Sequence, residues 1–434
     1  MVQQEKVAIV GLGYVGIPLA TVLADKGYDV HGIDVDAKRV ADVNDGVFPL
    51  KGVEPDLPDM MVDAVEKGRL RASTAFDGCG EARTVFVCVD TPVGADRKPD
   101  NERLVSAAEH IGQNIVKGAL IIVESTIAPG TMLGVVAPAI EGAAGMRLGE
   151  DFKLAHCPER VMPGRLLHNL THYSRVIGAL DDESAERAVE IYSKMTKGEL
   201  HRTDLTTAEI VKTAENTYRD VQIAFANEVG LICEKLGVDA FEVRRLVNTC
   251  PFRDMHLPGA GVGGHCLPKD PWLLVHGGCE ADPVLIPTAR EVNDGMPSHM
   301  ADLVGDTLTE LKVGRSDAVV AVFGASFLEN SGDARNSPTQ SLLTHLENVG
   351  ELRVHDPYLE DIGGVAVTRT LADALKGADV AIFMVAHSDY DSITPSTFKE
   401  LMRRPGVVDG RNIFSGEKMK DAGIVYRGVG KGVT

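Results

Sequence analysis

The stretch KVAIVGLGYVG, Lys6 to Gly16, decides the fold. Lys6 to Val10 is the apolar run of a buried parallel strand, and Gly11, Gly13 and Gly16 follow at once. Gly11 permits a tight turn, Gly13 lets a pyrophosphate approach the backbone, and Gly16 lets the next helix pack close. Ile17 to Lys26 reads as that helix, and Tyr28 to Ile33 as the next strand, ending on Asp34. The helix N-terminus would present its N–H groups to phosphate. Asp34 lies 18 residues after Gly16, where a carboxylate binds both ribose hydroxyls and repels a 2′-phosphate. NAD is therefore expected rather than NADP, although Arg39 nearby works against the second inference. The complete strand–turn–helix–strand context outweighs a Rossmann-like domain that binds no cofactor.

The same pattern continues outward. Thr84 to Val89 is a strand with Asp90, Thr91 and Pro92 at its carboxyl end. Ala119 to Val123 is another, followed by Glu124, Ser125, Thr126 and Pro129-Gly130-Thr131. Ligands of open α/β sheets sit outside the carboxyl ends of strands, so Thr91 and Thr126 are candidates for the nicotinamide half of NAD. Helix capping is the plainer role for each. Phe152 to Ala155 leads into His156-Cys157-Pro158-Glu159-Arg160. Glu159 is placed to bind a substrate hydroxyl or a water; a surface ion pair with Arg160 is the alternative of equal standing.

From Asp204 to Leu236 the pattern is one long helix, with a capping box from Thr206 and Glu209 and a stop at Gly237. Glu209, Lys212, Asn216, Arg219, Ile223 and Asn227 recur at spacings of three or four and share a face. Lys212 and Asn216, one turn apart, can donate to the same oxygen; a solvated polar face is the plainer reading. The other faces and the length suit a dimer interface. Residues 238–300 read as helical except LPGAGVGGHCLPKDP, Leu257 to Pro271, and TAREVND, Thr288 to Asp294, starts a helix. Gly259, Gly261, Gly263 and Gly264 let that loop approach a ligand, and Cys266 follows with Lys269 and Asp270 close behind. A thiolate nucleophile suits such a place, against a buried inert cysteine in a solvated turn.

After Val313-Gly314-Arg315 the α/β pattern returns without the glycine fingerprint. Ala318 to Phe323, Leu352 to His355 before Asp356, and Ala378 to Val385 are strands, and Gly406 to Asn412 ends the sheet. Asp333, Arg335 and Arg411 stand at strand ends, where guanidinium groups suit phosphate. The expected fold is α/β: two Rossmann-like parallel-sheet domains joined by a long central helix and a helical dimerisation region. The expected domains are 1–203, 204–312 and 313–434, with NAD on the first and a different nucleotide, or none, on the last.

Bulk composition sets limits. A chain of 434 residues is too long for one core. The formal charge of -19 argues against nucleic acid and anionic membranes as partners. Seven scattered cysteines without a CxxC pair suggest neither disulfides nor a metal site, and a reducing cytoplasm is expected. No signal peptide is expected ahead of the first strand, and no apolar run approaches the ~20 residues of a spanning helix.

NAD beside a cysteine, a lysine and an asparagine suggests more than alcohol oxidation. An alcohol oxidised once gives an aldehyde, to which a thiolate can add. The thiohemiacetal can give up a second hydride to become a thioester, and water cleaves it to a carboxylate.

The set GLGYVG, ESTIAPGT, CPERV, KTAEN, GVGGHCLPKDP and GDARNSP resembles the UDP-glucose/GDP-mannose dehydrogenase family over essentially the whole chain. CPERVMPG, LPGAGVGGHC, KDPW and TAREVND look most like its branch acting on UDP-linked N-acetylated sugars, UDP-N-acetyl-D-mannosamine among them. The resemblance implies that Cys266 is the nucleophile and Lys212 the proton donor and acceptor. Asn216 and Asp270 would organise water and Lys212, with Glu159 beside them. Gly11, Gly13, Tyr14, Val15, Gly16, Asp34, Arg39, Thr91 and Thr126 would meet NAD, with Lys269 and Arg335. Glu159, Arg160, Val161, Lys212, Asn216, Arg219, Arg253, Gly263, Phe327 and Arg411 would bind the UDP-sugar. A homodimer or larger homo-oligomer is implied. UDP-glucose dehydrogenases carry a second glutamate where this chain has Pro163, which fits the acetamido-sugar branch. Leu328 replaces a common lysine, and Arg253 stands one position from the arginine of bacterial relatives.

Overall fold

Lys6–Val10 forms β1, buried except at its first residue, as an apolar run between two layers of helices requires. The computed structural model describes residues 5–50, 52 and 54–432. Among these, β1 lies inside an eight-stranded sheet with β2 (Asp29–Ile33), β3 (Leu70–Ser73), β4 (Thr84–Val87), β5 (Ala119–Val123), β6 (Phe152–His156), β7 (Arg175–Ala179) and β8 (Leu200–Asp204). The order is β3-β2-β1-β4-β5-β6-β7-β8. β7 runs antiparallel to β6 and the other pairs are parallel. Successive side chains point to opposite faces. Ile9, Phe86 and Ile122 therefore join Ile17 and Leu23 of the helix Gly16–Asp25 on one face. Val10, Val85 and Ile121 join Ile111 and Ile140 on the other.

Two units share the chain: Met1–Glu215 with Trp272–Asp282, and Asn216–Pro271 with Pro283–Thr434. The division falls inside the helix Leu205–Leu236. The sheet of the second unit has seven strands among the described residues. These are β9 (Val319–Phe323), β10 (Glu351–His355), β11 (Asp361–Ile362), β12 (Val365–Thr368), β13 (Val380–Phe383), β14 (Gly406–Asp409) and β15 (Val425–Gly428). Their order is β11-β12-β10-β9-β13-β14-β15. Gly324 after β9 has φ +91° and bonds His355 O, as Gly11 after β1 has φ +94° and bonds Ile33 O. The opening turn of the first sheet is thus repeated, but Ser326 stands fully buried where the first turn has Gly13.

Three local expectations need correction. Thr206 and Glu209 form no capping box. Asp204 caps the long helix, its Oδ1 accepting from Thr207 N–H at 2.9 Å and its Oδ2 from the Thr207 hydroxyl at 2.6 Å. A carboxylate is the stronger acceptor there, and Glu209 is engaged elsewhere. Residues 238–300 are less helical than expected: after Ala240–Val247 the chain is irregular to Lys269. Arg244 Nε and Asn248 Nδ2 donate to Met255 O, and Asn248 Oδ1 accepts from Met255 N–H, so side chains replace helical bonds. Finally, the sheet does not end after Gly406–Asp409; β15 pairs with it.

Candidate active site

In the first unit the candidate residues stand where β1, β2, β4, β5 and β6 end. A Cβ on Gly11 would lie 2.6 Å from Cys88 O, and one on Gly16 would lie 1.8 Å from Gly11 O, so the turn excludes any side chain there. A Cβ on Gly13 would meet nothing within 4 Å, leaving the backbone open to a ligand. Val15, at the start of the helix Gly16–Asp25, makes no side-chain cap. Tyr14 and Val15 are half-buried in the turn. Asp34 is buried, its Oδ2 accepting from Leu12 N–H at 2.7 Å and Arg39 Nη1 at 3.0 Å, its Oδ1 from Asp36 N–H at 2.9 Å. Open backbone at Gly13, the helix start beside it and a fixed carboxylate at the end of β2 fit a dinucleotide. Thr91 Oγ1 donates to Thr126 O at 2.6 Å and Ser125 Oγ to Val89 O at 2.6 Å, stitching the loops after β4 and β5 together.

Glu159 follows β6 and is buried, so the surface pair with Arg160 is not formed. Its Oε1 lies 3.6 Å from Lys212 Nζ, and its Oε2 accepts from Val161 N–H at 2.6 Å. Arg160 turns instead to Glu215 and to Ser174 O. Lys212 is buried as well, which removes the reading of its stripe as a solvated face. The loop beyond Glu159 is held by residues that sequence reasoning did not single out. Glu54 accepts from Gly164 N–H and Leu166 N–H, and Asn169 Oδ1 from Met162 N–H at 2.9 Å. Beneath it Glu124 takes bonds from Arg175 and Tyr192, all three buried.

In the second unit the Cys266 loop is framed by close backbone contacts. Cβ atoms on Gly263 and Gly264 would lie 2.6 and 2.8 Å from Phe327, and one on Gly259 would lie 2.7 Å from Arg411 Nη1. Gly264 N–H donates to Arg335 O at 2.9 Å, and Asn336 Nδ2 to Gly264 O at 3.0 Å. Arg411 Nε donates to Met384 O at 2.8 Å, and burial lowers the pKa of its guanidinium. The carbonyl of Cys266 accepts from Lys269 N–H at 3.0 Å and Asp270 N–H at 2.8 Å. Asp270 is fully buried; Asn216 Nδ2 donates to its Oδ2 at 2.5 Å, and Lys269 Nζ lies 3.3 Å from its Oδ1.

A buried polar chain anchors the other end of the loop. Asn227 Oδ1 accepts from Gly259 N–H, Asn227 Nδ2 donates to Asn293 Oδ1, and Asn293 Nδ2 and Arg290 Nη1 both donate to Asp220 Oδ1. Asn227 lay in the polar stripe, and Arg290 and Asn293 in TAREVND; their partnership was not legible. Arg219 and Arg253 are exposed on this unit, and Arg335 is exposed and paired with Asp333. None of these three is buried as Asp270 is.

Of the seven free cysteines, four are buried. Burial pushes the Cys79 thiol up to about 12 and Cys157 up to about 11, with Cys88 and Cys233 also raised. Such thiols stay protonated and inert. Cys250 and Cys279 are exposed, and Cys266 is the half-buried one, set in the glycine loop.

Comparison with known proteins follows the same division of labour. Family profiles for the NAD binding domain, central domain and UDP binding domain of the UDP-glucose/GDP-mannose dehydrogenases match residues 5–196, 206–295 and 321–416. A UDP-N-acetyl-D-mannosamine dehydrogenase of Pyrococcus horikoshii is 37% identical over 428 residues, covering 98% of this chain and 99% of that one. The solved structure of the UDP-D-ManNAc dehydrogenase of that organism superposes with a TM-score of 0.92 over 98% of this chain and 99% of that one. An NDP-N-acetyl-D-galactosaminuronic acid dehydrogenase from Methanosarcina mazei superposes with a TM-score of 0.90 at 35% identity, over 99% and 96%. With three profiles matched in chain order and full-length relatives above 30% identity, the chain belongs to the UDP-glucose/GDP-mannose dehydrogenase family, as an NAD-dependent enzyme acting on a UDP-sugar.

Proposed function

We propose that this enzyme oxidises the primary alcohol of UDP-N-acetyl-D-mannosamine to the uronate, a four-electron reaction that uses two NAD and one water. The observation that carries the chemistry is the Cys266 loop. Its glycines pack its backbone against Phe327, Pro338 and Arg411, and the same loop ends on a buried Asp270 bonded to Asn216. Lys212 stands one turn before Asn216 on the same helix. The names of the full-length relatives and Pro163, in place of a second glutamate, support the acetamido sugar.

NAD, when bound beside the turn that holds Gly11, Gly13 and Gly16, would supply the hydride acceptor for each of the two oxidations. Lys212 takes the hydroxyl proton in the first oxidation. The Cys266 thiolate then forms a C–S bond to the aldehyde carbon, and the oxygen becomes an alkoxide. The Lys212 ammonium and the Asn216 amide stabilise that alkoxide and return a proton to it, giving the thiohemiacetal. In the second oxidation the thiohemiacetal hydroxyl gives its proton to Lys212, and the adduct becomes a thioester. Water adds to the thioester carbon and loses its protons to solvent, and the C–S bond breaks to release carboxylate and thiolate; the family resemblance assigns Asp270 and Glu159 to that water. Gly263, Phe327, Arg160, Val161, Arg219, Arg253 and Arg411 serve substrate binding in this reading.

The enzyme works as a homodimer in the cytoplasm. Tyr218, Phe225 and Ile232, at seven-residue spacing on the long helix, expose 66%, 58% and 52% of their surface, which supports a helix-to-helix interface. Phe225→Asp should give a monomer in sedimentation equilibrium; an unchanged dimer would move the interface elsewhere.

The deciding experiment is NADH yield at limiting UDP-N-acetyl-D-mannosamine, with UDP-N-acetylglucosamine, UDP-N-acetylgalactosamine and UDP-glucose in parallel. Two NADH per UDP-N-acetyl-D-mannosamine and little from the others is expected. Two from another sugar changes the substrate and keeps the chemistry, whereas one NADH per sugar defeats the thioester route.

A further inference from the structure

Glu209 lies in the second turn of the helix Leu205–Leu236, with 1% of its surface exposed. Its Oε2 accepts from Gly130 N–H at 2.6 Å, and its Oε1 accepts from Met132 N–H at 2.7 Å. Those two amides open the helical segment that begins with Met132–Val136. The loop before them carries Thr126. No side chain of that segment caps its own start at Thr131, so the cap arrives from a carboxylate 77 and 79 residues away in sequence. Amides at a helix start need an acceptor when they are buried, and a carboxylate with two oxygens serves two of them at once.

The consequence concerns Lys212, three residues further along the same helix. Its Nζ faces Glu159 Oε1 at 3.6 Å. One turn of helix is therefore held at Glu209 to the loop after β5 and presents Lys212 to the loop after β6. A slide or rotation of that turn would carry Lys212 away from Glu159, and the two bonds of Glu209 oppose both motions.

We propose that Glu209 is a positioning residue, whose carboxylate fixes the helical turn bearing Lys212 against the loop bearing Thr126. This rests on the reading above that Lys212 moves the proton of the reaction. Glutamine cannot replace it, because its one carbonyl oxygen satisfies one amide and its NH2 confronts the other.

The test is a double-mutant cycle on the full-length enzyme with Glu209→Gln, Lys212→Ala and both together, read by single-turnover NADH formation and by thermal melting. Glu209→Gln should lower kcat about 10- to 100-fold, the range of a misplaced catalytic group, with KM for the sugar little changed. The double variant should be no slower than Lys212→Ala, because a residue acting through Lys212 has nothing left to position. A fully multiplicative loss, or wild-type kcat in Glu209→Gln while Lys212→Ala is slow, overturns the inference and leaves the role of Lys212 intact. Normal kcat in Lys212→Ala overturns the reading on which it rests. If Glu209→Gln does not fold, Glu209→Asp keeps both oxygens on a shorter arm and must show the same lack of additivity with Lys212→Ala.

Discussion

Lys212 Nζ stands 3.6 Å from Glu159 Oε1, and both side chains are buried. The buried Lys212 side chain is held beside a carboxylate, in place to meet a developing alkoxide. Lys212→Ala should lower kcat about 100- to 1,000-fold, the loss typical of one oxyanion donor, and move KM far less. Initial rates against UDP-sugar at saturating NAD provide the comparison. A change in KM alone would make Lys212 a binding residue.

Cys266→Ser should bind NAD as the wild type does and lose steady turnover. A serine hydroxyl at neutral pH is a far weaker nucleophile than a thiolate and forms an ester in place of a thioester. Binding is read by quenching of Trp272, which sits on the first unit with Arg97 4.4 Å from its ring centroid. Full turnover in this variant would remove the covalent route.

Asp34→Ala should raise the KM for NAD roughly tenfold or more, since hydrogen bonds to a charged group contribute about 1.5–3 kcal/mol. It also frees Arg39, now 3.0 Å from Asp34, to meet a 2′-phosphate. The ratio of kcat/KM for NADP over NAD should therefore rise. An unchanged ratio would show that Arg39 plays no part in cofactor choice.

Much of this was readable in the chain because both sheets are mainly parallel. Strands covered on both faces become unbroken apolar runs, as in Ala119–Val123 and Val380–Phe383, both wholly buried. The strand Leu200–Asp204 was missed because it is half exposed and polar. Glycines announced the two close-approach turns, since only they tolerate the contacts at Gly16 and Gly263. What escaped was partnership over distance. Glu209 obeyed a local capping rule on paper, yet its carboxylate serves Gly130 and Met132. Glu54 had no local signal at all, and it holds amides 110 and 112 residues away. Buried and solvated polar stripes have the same spacing, and only the packing around Lys212 and Asn227 distinguishes them.

His156, at the end of β6, gives the enzyme a pH-dependent weakness below neutrality. The ring is fully buried, its Nδ1 donates to Val123 O at 2.8 Å, and its Nε2 has no partner among the described residues. Burial lowers its pKa to about 4, offset in part by the Val123 bond and reinforced by Arg175. The unfolded chain takes up a proton near the ordinary value of about 6.5, whereas the folded chain resists until about 4. Between those limits the unfolded state holds more protons, so stability falls as pH falls, and above the upper limit this residue contributes no slope. At about 1.4 kcal/mol per pH unit, the loss from pH 6.5 to 5 is about 2 kcal/mol. His156→Gln keeps a donor for Val123 O and cannot titrate. Urea unfolding of the first unit's transition at both pH values should therefore show the variant losing about 2 kcal/mol less than the wild type on acidification. Equal losses would mean that the folded ring takes its proton as readily as the unfolded one, and that burial at the end of β6 does not keep it neutral.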